Sequence, residues 1–185
     1  ERPLFVARHP DEIGNAYEGV PQVLSAYLEK YPNDEHTREM RELLVDSYIT
    51  SKNFEGAMRL LEENKNYASK TTYQKVAFYR GVELFLETDY AAAAENFRKS
   101  LDNADDALFK ARASYWNAES EYMLNRFDAA LSNFQDFRQN PISKSTPEYQ
   151  ELAYNLGYTY FKLKDYGNAI TYYKAYADAN SSGEK

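Results

Sequence analysis

Tyr154-Asn155-Leu156-Gly157, followed by Asp165-Tyr166 and Ala169-Ile170, decides the fold, because it recurs along the chain. Its counterparts are Tyr115-Trp116-Asn117-Ala118 with Arg126-Phe127 and Ala130-Leu131, and Phe78-Tyr79-Arg80-Gly81 with Asp89-Tyr90 and Ala93-Ala94. A fourth copy runs through Leu44-Val45, Asn53-Phe54 and Ala57-Met58. The alanine slots therefore fall at 57, 93, 130 and 169, at intervals of 36, 37 and 39 residues. Self-similarity at such a period marks a repeat of one supersecondary unit, here a pair of helices. Within a copy the apolar residues keep helical spacing, as in Leu156, Tyr160 and Leu163, which excludes the alternation of a strand. Gly157, Gly81 and Ala118 on the first helix are predicted to face Ala169, Ala93 and Ala130 on the second, so that the two backbones approach closely while aromatics fill the flanks. A bulky residue at Ala130 is expected to overpack the pair at a cost of roughly 1–3 kcal/mol.

The rest of the composition agrees with a helical array. Only 7 glycines and 6 prolines occur in 185 residues, too few for a turn-dense β fold, while 43% hydrophobic residues suffice for a core. The mean hydropathy of −0.76 is low partly because 18 tyrosines count as polar on that scale. Thr146-Pro147 reads as an N-cap followed by proline at the first helical position, and Thr71 with Gln74 as a capping box, which predicts helix starts near 147 and 72. The stretches 62–70 and 139–145 are expected to be loops between pairs, and 181–185 a frayed tail. Val20, Leu24 and Tyr27, followed by Lys30-Tyr31-Pro32, suggest a helix that closes a partial unit. The expected organisation is a partial repeat over 1–37, four pairs over 38–70, 71–107, 108–145 and 146–180, and the tail, as a segment of a longer array.

These residues resemble the tetratricopeptide repeat, whose pattern is an aromatic, then Leu-Gly, Tyr, Ala, an aromatic and a terminal proline over about 34 residues. Leu156, Gly157, Tyr160, Ala169 and Tyr173 match it. The departures are Ala153 in the tryptophan slot, Ser181 in the proline slot, Glu121 where tyrosine is expected, and the longer period. The resemblance covers residues 38–179 and implies an all-α, right-handed solenoid of antiparallel helix pairs, with the first helix of each pair lining a concave groove. It places Glu39, Glu42, Asp46 and Ile49 on that groove in the first copy and Lys75, Phe78, Val82 and Phe85 in the second. The third supplies Arg112, Tyr115, Glu119 and Tyr122, and the fourth Glu151, Tyr154, Tyr158 and Phe161. Such a groove is acidic at one end and aromatic along the rest, and suits an extended peptide or a partner helix.

Two readings of these side chains stand side by side. Aromatics at helical spacing also make cores, and Tyr160, Tyr173, Phe97 and Phe134 are expected there, with Trp116 as a plug between repeats. The acidic trio Glu39, Glu42 and Asp46 is either a solvated helix face or a contact for a basic partner segment. A carboxylate clamp of the kind that grips a partner's C-terminus is disfavoured, because only Lys75 and Arg112 are basic among the groove slots.

Catalysis and cofactors are not expected. The chain has no cysteine, and His9 and His36 are far apart and lie near Pro10 and Pro32. Asp105 and Asp106 are adjacent, so on a helix they diverge by about 100° and share no site; they read as an acidic first turn. Asn180-Ser181-Ser182 fits a glycosylation acceptor, a motif common by chance. With 22 basic and 29 acidic side chains the net charge is −7, unlike a nucleic-acid clamp. No apolar run reaches the roughly 18 residues of a membrane span, and the start at Glu1 suggests a removed signal or an excised segment. The expected function is non-catalytic protein binding, with structural self-association as the alternative class. The tyrosine-rich units and the stretch Ala26-Tyr27-Leu28-Glu29-Lys30-Tyr31-Pro32-Asn33-Asp34 resemble repeats of bacterial outer-membrane-assembly and Tol-Pal-type envelope proteins. That resemblance implies a periplasmic or cell-envelope location, with the cytoplasm as the alternative.

Overall fold

A computed structural model describes residues 19–181. The irregular start expected before residue 19, including His9 and Pro10, and residues 182–185 of the tail lie outside the described residues. The described chain is helical, with no strand, and divides into two compact units, residues 1–69 and 70–185.

In the first unit, α1 (Val20–Lys30) packs on α2 (Thr37–Thr50), and α2 on α3 (Phe54–Glu63). Leu24, Leu28 and Leu44 form its core, flanked by Met40, Tyr48, Leu60 and Tyr67. Asp34 fixes the turn between α1 and α2 by accepting from the Tyr27 hydroxyl at 2.8 Å and from the His36 amide at 2.9 Å.

The second unit holds three antiparallel pairs: α4 (Lys70–Leu86) with α5 (Tyr90–Asp102), α6 (Ala107–Met123) with α7 (Phe127–Gln139), and α8 (Leu152–Lys162) with α9 (Tyr166–Ser181). Each helix packs on the next, so α6 also covers α5, and α8 also meets α7. One core cluster joins Phe78, Leu84, Ala93, Phe97, Phe109 and Ala113. A second joins Tyr115, Ala118, Ala130, Phe134, Phe137, Leu152 and Leu156. Burying each phenylalanine contributes about 1.5–3 kcal/mol relative to leaving it in water. Trp116 packs against both clusters, its ring 5.2 Å from Phe85 and 5.7 Å from Tyr115, and its indole nitrogen donates to Glu148 at 3.1 Å. It is the plug between repeats. Phe97 and Phe134 are fully buried as expected, whereas Tyr160 and Tyr173 are only half-buried.

The turn inside each pair is the same device four times. Lys52, Thr88, Asn125 and Lys164 take left-handed φ values of 56°, 65°, 60° and 63°. Each donates its amide three residues back, and the next residue donates five back, as in Thr88 to Phe85 (3.0 Å) and Asp89 to Leu84 (2.9 Å). Those two bonds satisfy carbonyls left open at the helix end. The same next residue then caps the second helix: Asn53, Asp89 and Asp165 accept from the amides of Gly56, Ala92 and Asn168. Arg126 occupies this position in the third copy and caps nothing; its guanidinium instead pairs at 3.2 Å with Glu121, the buried acid that replaces tyrosine. The two departures of that copy are thus partners.

Two expected helix starts differ. Thr71 and Gln74 do not form a capping box, because α4 already begins at Lys70 and both side chains reach the turn before α6. Gln74 is fully buried, accepts from the amides of Asp105 (3.0 Å) and Asp106 (2.8 Å) and donates to the Asp106 carbonyl, while Thr71 bonds Asp105. Asp106 is the N-cap of α6, accepting from the amides of Leu108 and Phe109. Pro147 opens a short 3₁₀ turn and not the helix, which starts at Leu152. Thr146 makes no side-chain cap bond there; its hydroxyl donates to the Ser143 carbonyl at 2.7 Å.

Candidate partner-binding face

The first helices of the pairs in the second unit, α4, α6 and α8, carry most of the expected groove residues, and the structure sorts them into three groups. Phe78 and Tyr115 are core side chains, 1% and 6% exposed, and are closed to a ligand. Each is covered by its own second helix and by the next first helix along the chain: Phe78 by Phe97, Phe109 and Arg112, and Tyr115 by Phe134, Phe137 and Asn155. Phe85 is half-buried against Tyr90 and Trp116.

The cations of this face are engaged internally. Arg112 pairs with the buried Glu148 at 2.7 Å and lies over the Phe78 ring at 5.0 Å. Lys75 sits 4.0 Å from Asp106 and over Phe109 at 5.4 Å. Lys162 lies over Phe127 at 6.0 Å and Tyr158 at 5.5 Å.

The third group is open and continuous. Tyr154, Tyr158 and Phe161 lie along one face of α8 at helical spacing and are 43%, 38% and 49% exposed. Their rings stack in succession, 6.1 Å and 6.4 Å between centroids, and Tyr166 continues the strip at 5.8 Å from Phe161. From α6, Tyr122 joins it at 5.6 Å from Tyr158. From α9, Tyr173 and Tyr176 lie 6.0 Å and 5.4 Å from Tyr154. Tyr166, Tyr173 and Tyr176 were not among the expected groove residues, since their slots belong to second helices.

Beside the strip lies a polar cluster. Asn155 donates to the Tyr115 hydroxyl at 2.9 Å and to the Glu119 carboxylate, and Tyr115 also hydrogen-bonds Glu119. Burial pushes the Glu119 carboxyl up to about 7 despite these two bonds, which favour its ionised form, with a smaller upward push from Glu151. Burial likewise raises Tyr115, Tyr122 and Tyr173 above the usual phenol range, with nearby carboxylates adding to it for Tyr115, and neighbouring tyrosines adding to it for Tyr122, chiefly Tyr158, and for Tyr173. Tyr176 donates to Glu151 at 3.4 Å. The face is aromatic, rich in acceptors and electronegative.

In the first unit Glu39, Glu42 and Asp46 are exposed on α2. Arg38 donates to Glu42 at 3.1 Å, and His36 lies 3.9 Å from Glu39. Pairs of this kind on an open surface contribute little to stability. Among the described residues no helix is long and apolar enough to cross a membrane.

The tetratricopeptide repeat profile matches residues 118–184, the stretch that contains α7, α8, α9 and this tyrosine strip. Three solved structures share the fold. A crystal structure of MamA is 16% identical, covering 90% of this chain and 90% of its own, with a TM-score of 0.56. A second MamA crystal structure is 17% identical over 91% and 87%, at 0.56, and the MamA RS-1 ArsTM double mutant 12% identical over 93% and 98%, at 0.58. At these identities the likeness carries the fold, which is the all-α helix-pair fold of tetratricopeptide repeats. No curated protein matches the chain.

Proposed function

We propose that this chain is a non-catalytic protein-interaction scaffold that takes a peptide or a helix of a partner on the tyrosine face of α6 and α8. The observation that carries the reading is the strip of stacked Tyr154, Tyr158 and Phe161 continued edge-on by Tyr166, four neighbouring large rings left open to solvent. Contiguous exposed aromatics are unfavourable in water unless something covers them, and tyrosine supplies contact area at low entropic cost with a hydroxyl to spare. Repeats of this type present such faces to other proteins.

The test uses a Tyr154→Ala/Tyr158→Ala variant whose circular dichroism melt matches wild type, in affinity capture and then a binding isotherm with the purified captured protein. Tyr115 stays unaltered, because it is core. Loss of binding by the variant supports the reading; equal affinity of variant and wild type refutes it.

Self-association is the second reading, favoured by α9. Ala169 is its one buried side chain among those described, while Ile170 and Tyr166 stand open. An Ile170→Glu substitution should then abolish any concentration-dependent mass in light scattering. We further propose a periplasmic or cell-envelope location, with the cytoplasm as the alternative; fractionation of the producing cell decides between them.

A further inference from the structure

The tyrosine face also carries an unbalanced charge. Its three cations are committed, Arg112 to Glu148, Lys75 to Asp106 and Lys162 to the rings of Phe127 and Tyr158. Besides Glu148 and Asp106, two carboxylates are not matched in the same way. Glu119 accepts only from the neutral donors Tyr115 and Asn155, and Glu151 from the Tyr176 hydroxyl; neither forms an ion pair among the described residues. Glu119 is half-buried on α6 one turn before Tyr122, whose ring meets Tyr158 at 5.6 Å and an interplanar angle of 54°. Tilted tyrosine rings beside a desolvated carboxylate present what a cation needs: ring faces of negative quadrupole, phenol oxygens and a counter-ion. Lys162, at 5.5 Å over Tyr158, shows that a ring of this face takes an ammonium group, and an incoming cation must share or displace that contact.

We propose that a lysine or arginine side chain of the partner peptide seats against the Tyr122 and Tyr158 rings, with the Glu119 carboxylate as its counter-ion. This rests on the reading that the tyrosine face binds a peptide. An acidic or carboxylate-terminated segment is repelled by Glu119 and Glu151. A purely apolar one leaves Glu119 buried without a cation and deepens its desolvation. The net charge of −7 steers a basic segment toward the chain.

The test is a selection from a display library of random short peptides on the intact chain, repeated on Tyr158→Ala and Glu119→Gln. Peptides that bind wild type and fail on Tyr158→Ala are expected to carry arginine or lysine at one fixed position. In a synthetic copy, citrulline or norleucine there should weaken binding by about tenfold. Glu119→Gln should weaken the basic peptide by a similar factor and leave the neutral copy unchanged. Should Glu119→Gln disturb the fold, the wild type alone decides, through chemical shifts of the Glu119 carboxyl and Tyr122 ring that move with the basic peptide and not with its neutral copy. Tyr158-dependent peptides with no basic position, or equal affinity for basic and neutral copies, overturn the inference and leave peptide binding standing. If no selected peptide depends on Tyr158, both fall.

Discussion

Replacing Gly81 by alanine tests whether the small slots govern helix pairing. In a helix interior, alanine is better than glycine by about 1 kcal/mol, so an isolated α4 would gain from the change. In the folded chain a β-carbon at Gly81 would lie 2.7 Å, 2.8 Å and 3.0 Å from three carbons of the Phe97 ring. Ordinary carbon contacts are about 3.5–4.0 Å, so the ring must retreat by nearly an ångström. It has nowhere to go, being fully buried with Phe78 at 5.9 Å. Overpacking of this kind costs roughly 1–3 kcal/mol, leaving a net loss of about 1 kcal/mol. Gly157 faces the Tyr173 ring at 2.9 Å, but Tyr173 is half-buried and can swing outward, so Gly157→Ala should come out near neutral. At Gly167 the nearest atom is Asp165 Oδ1 at 3.8 Å, and Gly167→Ala should stabilise by about 0.5 kcal/mol. Urea unfolding monitored through Trp116, the single tryptophan, reports on the unit that holds all three glycines. The expected order of midpoints is Gly167→Ala, then Gly157→Ala, then Gly81→Ala. A Gly81→Ala midpoint equal to or above that of Gly167→Ala would refute the close-approach argument. Adding Phe97→Leu should remove much of the alanine penalty, since the clash is with that ring.

Three further outcomes are expected. Thr88, a β-branched residue at φ 65°, is the most strained of the four turn residues, so Thr88→Gly should raise the unfolding free energy by about 1 kcal/mol and Asn125→Gly by much less, as measured by urea unfolding. Asp89→Ala removes the oxygen that caps α5 and should lower stability by about 1 kcal/mol in the same assay. Glu119, its pKa raised from 4.5 to about 7 by burial, binds more protons folded than unfolded within that window. Stability should therefore fall as pH rises through it, and Glu119→Gln should flatten the fall, as read from thermal midpoints on either side. The groups facing Glu119 in that experiment are Tyr115, Asn155 and Glu151.

Much of the fold is legible because it is written in local chemistry that repeats. The Asn-Phe, Asp-Tyr, Arg-Phe and Asp-Tyr pairs at 53, 89, 126 and 165 mark a turn whose first member ends one helix and, in three copies, caps the next. The left-handed residue before each pair is not legible, since lysine, threonine and asparagine carry no glycine signal. Thr71 and Gln74 mislead for a different reason. A capping rule considers only its own helix, whereas the Gln74 amide is spent on the backbone of Asp105 and Asp106, more than thirty residues on. Such a bond belongs to the stacking of pairs, and no spacing within one helix encodes it.

The same limit governs the candidate site. Phe78, Tyr115 and Tyr154 occupy one slot of the repeat and look alike in sequence, yet they are 1%, 6% and 43% exposed. The difference lies in the first helix of the next pair. Phe78 is capped by Phe109 and Arg112 of α6, and Tyr115 is tied to Asn155 of α8. The ring neighbours of Tyr154 among the described residues are Tyr158 of its own helix and Tyr173 and Tyr176 of α9. A slot thus fixes which way a ring points, and the next first helix fixes whether it stays wet. By this logic any helix laid against α8 as α6 lies against α4 would bury Tyr154 first. A tyrosine there, and not the phenylalanine of the second copy, would leave a hydroxyl for such a helix to bond. If the proposed partner is a helix, it would have to offer polar groups beside its apolar ones to bury Tyr154 well, as α6 offers Arg112 beside Phe109 to Phe78.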